Sequence, residues 1–334
     1  MKVCTIFTGG TIGSKVGENG FISPKQDMPY RLLDLYREKC KEEIAFDTVE
    51  PYCILSENLE AKYLQVLIST VTEKLEENVY DGIIITHGTD TLQYTSAILG
   101  YIFGDARIPI LMVSSDYPLE DVRANGLENF TYAVQFIKEK LGTGVFVSYC
   151  NKGGEPTIHR GTRLQPHASY SADVYSVENA YYGKFENGVF FKNEGIQEIE
   201  GGKTLFQKKD TIILSEDGNE ILRVTPYVGM HYPKITEQIK AVLLESYHSG
   251  TIFVGERFSE FMKSAREKKI PVFLHGLEKQ EKAYDTVRTY QEMGGLPLEK
   301  SSVIAQYCKL WLAVCNGLKI EEVMQSSIAG DFLV

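Results

Sequence analysis

The chain has no long hydrophobic run, no cysteine cluster and no excess of positive charge, and each absence removes a class of function. Its six cysteines, Cys4, Cys40, Cys53, Cys150, Cys308 and Cys315, stand singly with no CxxC pair. Zinc sites and disulfide frameworks need clustered cysteines, so these read as reduced, mostly buried thiols of a cytosolic protein. No stretch approaches the roughly 20 apolar residues of a membrane span. The start, MKVCTIFTGGTIGS, holds only a short apolar run that ends at glycines. That run is shorter than the core of an export signal, so a cytoplasmic protein is expected. Lys and Arg total 35 against 45 Asp and Glu, a net charge of −10. Such an acidic surface repels phosphate backbones and anionic lipid, so neither nucleic acid nor membrane is expected as a partner. Only 11 prolines accompany 29 glycines, with no periodic tract, which excludes collagen-like and disordered chains.

What is present is the patterning of a large α/β protein. The 334 residues, 43% of them hydrophobic, suffice for two domains. Val3 to Phe7 run into Thr8-Gly9-Gly10-Thr11, and Gly82 to Thr86 run into His87-Gly88-Thr89-Asp90-Thr91. Leu92, Ser96, Leu99 and Phe103 then recur at helical spacing, with Thr89 or Asp90 placed to cap the helix. Further short apolar runs, Ile108 to Val113, Val145 to Tyr149 and Ala241 to Leu244, alternate with helix-length stretches. Uninterrupted apolar strands between helices predict a doubly wound parallel sheet covered on both faces. Ligands bind such sheets beyond the carboxyl ends of the strands, where both Thr-bearing turns fall.

Hydrophobic periodicity fades between about Asn187 and Asp217, and a hairpin through Gly188 and Gly218 fits there. The expected organisation is a larger N-terminal α/β domain over 1–190, a linker over 191–217 and a smaller C-terminal α/β domain over 218–334. In the second domain we expect a strand at Ala241 to Leu244, a helix at Ser259 to Lys268, a strand at Pro271 to Leu274 and a helix at Ser302 to Cys315. Along that last helix Val303, Tyr307, Leu310, Trp311 and Val314 share a face at core spacing.

Two turns carry the chemistry. Thr11 follows paired glycines at a strand end, where backbone approaches a ligand closely and N–H groups can face a developing oxyanion. The ordinary alternative is a plain turn with a helix cap. HGTDT sets a hydroxyl, a carboxylate and a second hydroxyl in consecutive positions, enough to divide nucleophile, base and binding roles. Here the alternative is a helix cap with an acidic dipole partner. FTGGTIGS lacks both the GxGxxG spacing and the Walker pattern, and no metal-ligand cluster is visible, so no cofactor or metal is implied.

FTGGTIGS together with IITHGTDTLQYTSAIL resembles the bacterial-type L-asparaginase and glutaminase family in both form and spacing. The likeness extends through most of the chain. ILSENLEAKYLQ is similar to that family's serine-bearing substrate loop, and IHRGTR to the segment before its active-site lysine. AVLLESYHSGT and the stretch from Tyr284 through Gly294 to Lys309 are similar to its second domain. The immediate start is most like the cytoplasmic type I branch. The resemblance implies that Thr11 is the nucleophile, which forms an acyl-enzyme with the side-chain amide carbonyl of asparagine. It implies that Thr89 and Asp90 are the second hydroxyl and its carboxylate partner, Asp90 also holding the substrate's α-amino group. Ser56 and Glu57 fall on the loop that grips the α-carboxylate, and Gly10 and Gly88 complete the expected substrate-binding set. A homodimer or homotetramer is implied too, with the His248 segment reaching a neighbouring subunit's site. In that segment Thr251 replaces an expected asparagine.

Two positions depart from the pattern. Counting from Thr11 places Phe21 where the family has a tyrosine, and counting through HRGTRLQPH places Pro166 where it has a lysine. Loss of one general acid or base costs roughly 10² to 10⁴ in rate. His167, beside Pro166, is a candidate replacement base, histidine being a common general base; Tyr30, Lys25 and Lys152 are others. His87 reads as a structural residue of its turn. The alternative to an asparaginase is a catalytically weakened member that binds a small amino acid or amide as a sensor or regulatory subunit.

Overall fold

The computed structural model describes residues 1–16, 22–24, 28–196, 204–207, 210–215, 220–277 and 284–333. Phe21, Lys25 and Gly218 lie outside these, as does the side chain of Tyr30. The chain forms two compact units, Met1–Asp210 with Ile328–Gly330, and Thr211–Ser327 with Asp331–Val334.

In chain order the first unit contains β1 (Lys2–Phe7), β2 (Ser14–Val16), β3 (Ile22–Pro24), α1 (Met28–Cys40), β4 (Ala45–Val49), α2 (Ala61–Glu76) and β5 (Gly82–Thr86). It continues with α3 (Leu92–Phe103), β6 (Pro109–Val113), α4 (Gly126–Lys138), β7 (Gly144–Cys150), β8 (Pro156–Arg160), β9 (Gly183–Glu186) and β10 (Val189–Lys192). Eight strands make one sheet in the order β10-β9-β8-β7-β6-β5-β1-β4. The strands from β4 through β1, β5 and β6 to β7 pair in parallel. Every residue of β5 and β6 is buried, as strands covered on both faces require. Val3, Phe7, Ile84, Leu111, Val113 and Phe146 share a core with Leu32, Leu33 and Tyr36 of α1 and Phe130, Ala133 and Ile137 of α4. By the two-residue period of a strand, the equally buried Cys4, Ile6, Ile83, Ile85, Ile110 and Met112 face the other way. The chain steps from β1 outward to β4, then returns past β1 to β5 and continues to β7. That reversal makes the carboxyl end of β1 the switch point of the sheet.

The doubly wound parallel sheet is extended by three antiparallel strands, since β7, β8, β9 and β10 pair antiparallel. Chain length decides this. Only residues 151–155 separate β7 from β8, whereas a parallel crossover takes a dozen or more. The β9–β10 hairpin turns on Asn187 and Gly188, with φ of 50° and 78°, the left-handed pair that suits a two-residue hairpin.

The second unit holds β11 (Ile221–Val224), β12 (Ala241–Glu245), α5 (Glu256–Glu267), β13 (Val272–His275), α6 (Asp285–Glu292), β14 (Gly295–Pro297), α7 (Val303–Cys315) and α8 (Ile320–Met324). Its four strands form a parallel sheet in sequence order. Phe258, Phe261, Met262, Leu244, Leu274 and Tyr290 lie at its core. In α7, Val303 and Leu310 are buried while Tyr307, Trp311 and Val314 are half-buried. The helix also buries Ile304, Ala305, Cys308, Leu312 and Ala313, a wider face than the sequence stripe. Within it Lys309 is paired with Asp331 at 2.8 Å, both almost fully buried.

Candidate active site

Three turns meet beyond the carboxyl ends of β4, β1 and β5, which are neighbours in the sheet. The first is Thr8-Gly9-Gly10-Thr11. Ile54 holds it by donating its N–H to the Thr8 carbonyl at 3.1 Å and accepting from the Gly10 N–H at 2.8 Å. Thr8 Oγ1 donates to the Thr86 carbonyl at 2.6 Å, tying this turn to the end of β5. Thr11 then opens a single 3₁₀ turn, Thr11–Gly13, and is half-buried.

The second turn is the 3₁₀ segment Ser56–Asn58. Ser56 is buried and Glu57 exposed. The third is His87-Gly88-Thr89-Asp90-Thr91, with Gly88 buried, Thr89 half-buried and Asp90 exposed. Thr91 Oγ1 donates to the Ser56 carbonyl at 3.0 Å, linking second and third turns. Thr91, not Thr89 or Asp90, occupies the N-cap position of α3, and its side chain makes no cap hydrogen bond. The expected cap is thus replaced: Thr91 takes the N-cap position with its hydroxyl on Ser56, and neither the Thr89 nor the Asp90 side chain caps the helix.

The glycines are required by this convergence. Gly10 has φ 76° and ψ −177°, a region essentially confined to glycine. A methyl group there would collide with the backbone nitrogen of Gly88 and lie 2.5 Å from its Cα. A methyl on Gly88 would fall on Ser56 Oγ, 2.6 Å from its Cβ. Gly13 meets nothing within 4 Å. Gly10→Ala is therefore expected to cost about 3 kcal/mol of stability, from backbone strain plus displacement of the Gly88 turn. Gly13→Ala should be close to neutral, and thermal unfolding of the two variants provides the comparison.

A buried polar chain that sequence reasoning missed supports the third turn from beneath. Ser114 Oγ donates to the His87 carbonyl at 2.7 Å. Asn129 Nδ2 donates to the Ser114 carbonyl at 2.8 Å, and Asn129 Oδ1 accepts from the Cys150 N–H at 2.7 Å. Asn129 is fully buried. Buried at a core position of α4 next to Phe130, the Asn129 amide needs these partners, a demand that shows only once its burial is known.

His87 is 2% exposed, and burial pushes its imidazole down to about 4. It is neutral at pH 7, with Nδ1 on the Gly88 carbonyl at 2.8 Å and Nε2 on Thr95 Oγ1 at 2.9 Å. Since the carbonyl accepts only, Nδ1 carries the hydrogen and Nε2 accepts from Thr95. His87 is thus the structural residue expected of it. Pro166 is exposed on the loop after the 3₁₀ turn Gly161–Arg163, and Lys152 is exposed with its backbone N–H on Asp173 Oδ1. His167 places Nε2 2.9 Å from the Thr89 carbonyl and Nδ1 3.1 Å from the Asp173 carbonyl. In the second unit His248 is exposed and Thr251 Oγ1 lies 2.9 Å from Ser249 Oγ. Among the described residues no group of three or more His, Cys, Asp or Glu is placed to hold a metal ion, and no helix is long and apolar enough to cross a membrane.

Two threonine-bearing turns pack at the switch point of an α/β sheet, with buried glycines between them, the place where sheets of this class bind ligands. The sequence model of the family "Asparaginase, N-terminal" matches residues 2–197. The chain belongs to the asparaginase family. It is 26% identical to the L-asparaginase of Thermococcus kodakarensis, the match covering 99% of each chain. It is 29% identical to a subunit of the glutamyl-tRNA(Gln) amidotransferase of Sulfolobus acidocaldarius, over 99% of this chain and 75% of that protein. The structure of the T. kodakarensis enzyme superposes with a TM-score of 0.78 at 23% identity, covering 99% of both chains. That of L-asparaginase I from Vibrio cholerae gives 0.77 at 21%, covering 100% of this chain and 99% of the other. Both share this two-domain fold.

Proposed function

We propose that the protein is an L-asparaginase-like amidohydrolase that converts L-asparagine to L-aspartate and ammonia. The observation that carries this reading is the meeting of the Thr11 and Thr89 turns against Ser56. In the proposed reaction the Thr11 hydroxyl attacks the side-chain amide carbon and ammonia leaves with the proton released by that hydroxyl. Water then hydrolyses the resulting ester, giving aspartate and restoring Thr11. Thr89 and Asp90 act as the second hydroxyl and its carboxylate, and Asp90 also meets the substrate's ammonium group. Ser56 and Glu57 hold the α-carboxylate, while the backbone around Gly10 and Gly88 allows the close approach that a substrate needs. The expected protein is cytoplasmic and a homodimer or homotetramer, which light scattering on the purified chain would establish.

The exposed Pro166 favours a second reading, a weakened member that binds a small amino acid or amide as a sensor or regulatory subunit. The relatedness to an amidotransferase component favours a variant of it, in which the amide-handling site works within a larger assembly. The deciding experiment incubates the purified protein with L-asparagine or L-glutamine and follows ammonia, with calorimetric titration of L-aspartate alongside. Ammonia release above the no-enzyme rate supports the hydrolase. Tight aspartate binding without turnover would replace it with the binding reading.

A further inference from the structure

His167 stands next to the proline that replaces the family's lysine, but its geometry suits a different task from a base. Nε2 lies 2.9 Å from the Thr89 carbonyl and Nδ1 3.1 Å from the Asp173 carbonyl. A carbonyl oxygen can only accept, so a hydrogen bond at either end needs an N–H on that nitrogen. A neutral ring has one N–H and donates to one of the two carbonyls; with that hydrogen on Nε2 it donates to Thr89, and the Nδ1 lone pair then faces the Asp173 carbonyl and not a substrate proton.

The far end of this connection is itself anchored. Asn151, just past the end of β7, donates Nδ2 to the Val174 carbonyl at 2.9 Å and accepts the Val174 N–H on Oδ1 at 2.8 Å. The Lys152 N–H donates to Asp173 Oδ1 at 3.1 Å, and Gln165 N–H to the Tyr175 carbonyl at 2.9 Å. Residues 173–175 are therefore fixed to the end of β7, the Gln165 N–H fixes the stretch that carries His167 to them, and the His167 Nε2–H carries that fixation across to Thr89.

Thr89 is then held from both sides. His87 Nδ1 engages the carbonyl of Gly88, in the peptide before Thr89, and His167 Nε2 engages the carbonyl of the peptide after it. The Thr89 carbonyl also accepts the Leu92 N–H at 3.2 Å, where α3 begins. Fixing the peptide planes on both sides of a residue fixes its φ and ψ, and with them the direction of its Cβ and hydroxyl.

We propose that His167 is a positioning residue: it ties the anchored 173–175 segment to the carbonyl of Thr89 and so sets the Thr89 hydroxyl, rather than standing in for the missing lysine as a base. The proposal rests on the hydrolase reading only for its effect on rate; the tie itself is a statement about backbone order.

The test separates the two ring nitrogens and the two readings. His167→Gln carries an amide N–H near the place of Nε2, His167→Asn one near the place of Nδ1, and His167→Ala neither. Misplacing a group by about 1 Å can cost on the order of 100-fold in rate. The expected result is a loss of about 10- to 100-fold in kcat for His167→Ala and His167→Asn, with His167→Gln restoring most of it. Amide hydrogen exchange is followed in parallel on the peptides that contain Leu92 and residues 173–176. It should be faster in His167→Ala and His167→Asn than in the unaltered protein, and near its value in His167→Gln. Loss of activity in His167→Gln equal to that in His167→Ala would show that the ring acts through its proton and overturn the proposal. Unchanged exchange in His167→Ala would overturn it as well. If the unaltered protein releases no ammonia, the hydrolase reading fails and the exchange comparison alone decides the tie.

Discussion

Thr11→Ala is expected to lower ammonia release from L-asparagine by at least about 10³-fold while leaving the fold and the binding of L-aspartate in place. Removal of the nucleophile abolishes the covalent route, leaving only what binding and the rest of the site contribute. The turn does not depend on the Thr11 side chain. Gly10 N–H bonds to Ile54, Gly13 N–H to the Gly10 carbonyl at 3.0 Å, and Ser14 Oγ to the same carbonyl at 2.8 Å. Thermal unfolding of Thr11→Ala should therefore match that of the parent within about 0.5 kcal/mol, as for surface substitutions. Thr11→Ser keeps a hydroxyl and should retain part of the activity. Turnover by Thr11→Ala at the parental rate would assign the nucleophile elsewhere and remove the central residue of the proposed mechanism.

Acid should destabilise the protein well above the range in which most carboxylates protonate. His87 and His159 are both buried as neutral rings, and desolvation pushes His87 down to about 4 and His159 down to about 3. His159 Nδ1 lies 2.9 Å from Ser176 Oγ, and a cation there would be taken out of water. Because the folded values lie below the ordinary value of 6.5, the unfolded chain takes up protons first. Stability is complete above about pH 6.5 and is lost as pH falls from there toward 4 and 3. At about 1.4 kcal/mol per pH unit, each ring withdraws about 2 kcal/mol between pH 6.5 and pH 5. Urea unfolding at pH 7.5 and pH 5 should show a loss of about 4 kcal/mol from the pair. His159→Gln, which does not titrate, should show about half that difference. Equal stability of the parent at the two pH values would refute the assignment.

Much of the fold is legible in the sequence because its strands are buried on both faces. Val3 to Phe7, Gly82 to Thr86, Ile108 to Val113 and Val145 to Tyr149 are apolar runs bounded by turns, and all lie in parallel strands. The antiparallel strands β8 to β10 are harder to read. Thr157 and Lys184 are half-buried, and Phe191 and Lys192 of the edge strand are exposed, so no uninterrupted apolar run marks these strands. Of the site, Thr11, Thr89 and Asp90 are visible in glycine-bearing motifs at strand ends. Asn129 and Ser114 escape such a reading, because a buried amide inside an amphipathic helix looks in sequence like an ordinary break in the apolar stripe. His167 stands out in sequence as a titratable neighbour of Pro166; which atoms its ring meets depends on residues 78 and 6 positions away.

The sequence by itself determined the class: the family, the two Thr-bearing turns and the alternation of buried strands with helices. Those follow from local chemistry, since turns need glycine at set positions and a doubly covered strand needs apolar residues throughout. Only the tertiary structure decided that Ser56 backs against Gly88, that Thr91 gives its hydroxyl to the Ser56 carbonyl, and that two histidines engage the carbonyls on either side of Thr89. The Thr91–Ser56 and His167–Thr89 contacts join residues 35 and 78 positions apart. Strand order, and not sequence spacing, brings such groups together: β1 lies between β4 and β5, so the turns that follow all three strands open at one place.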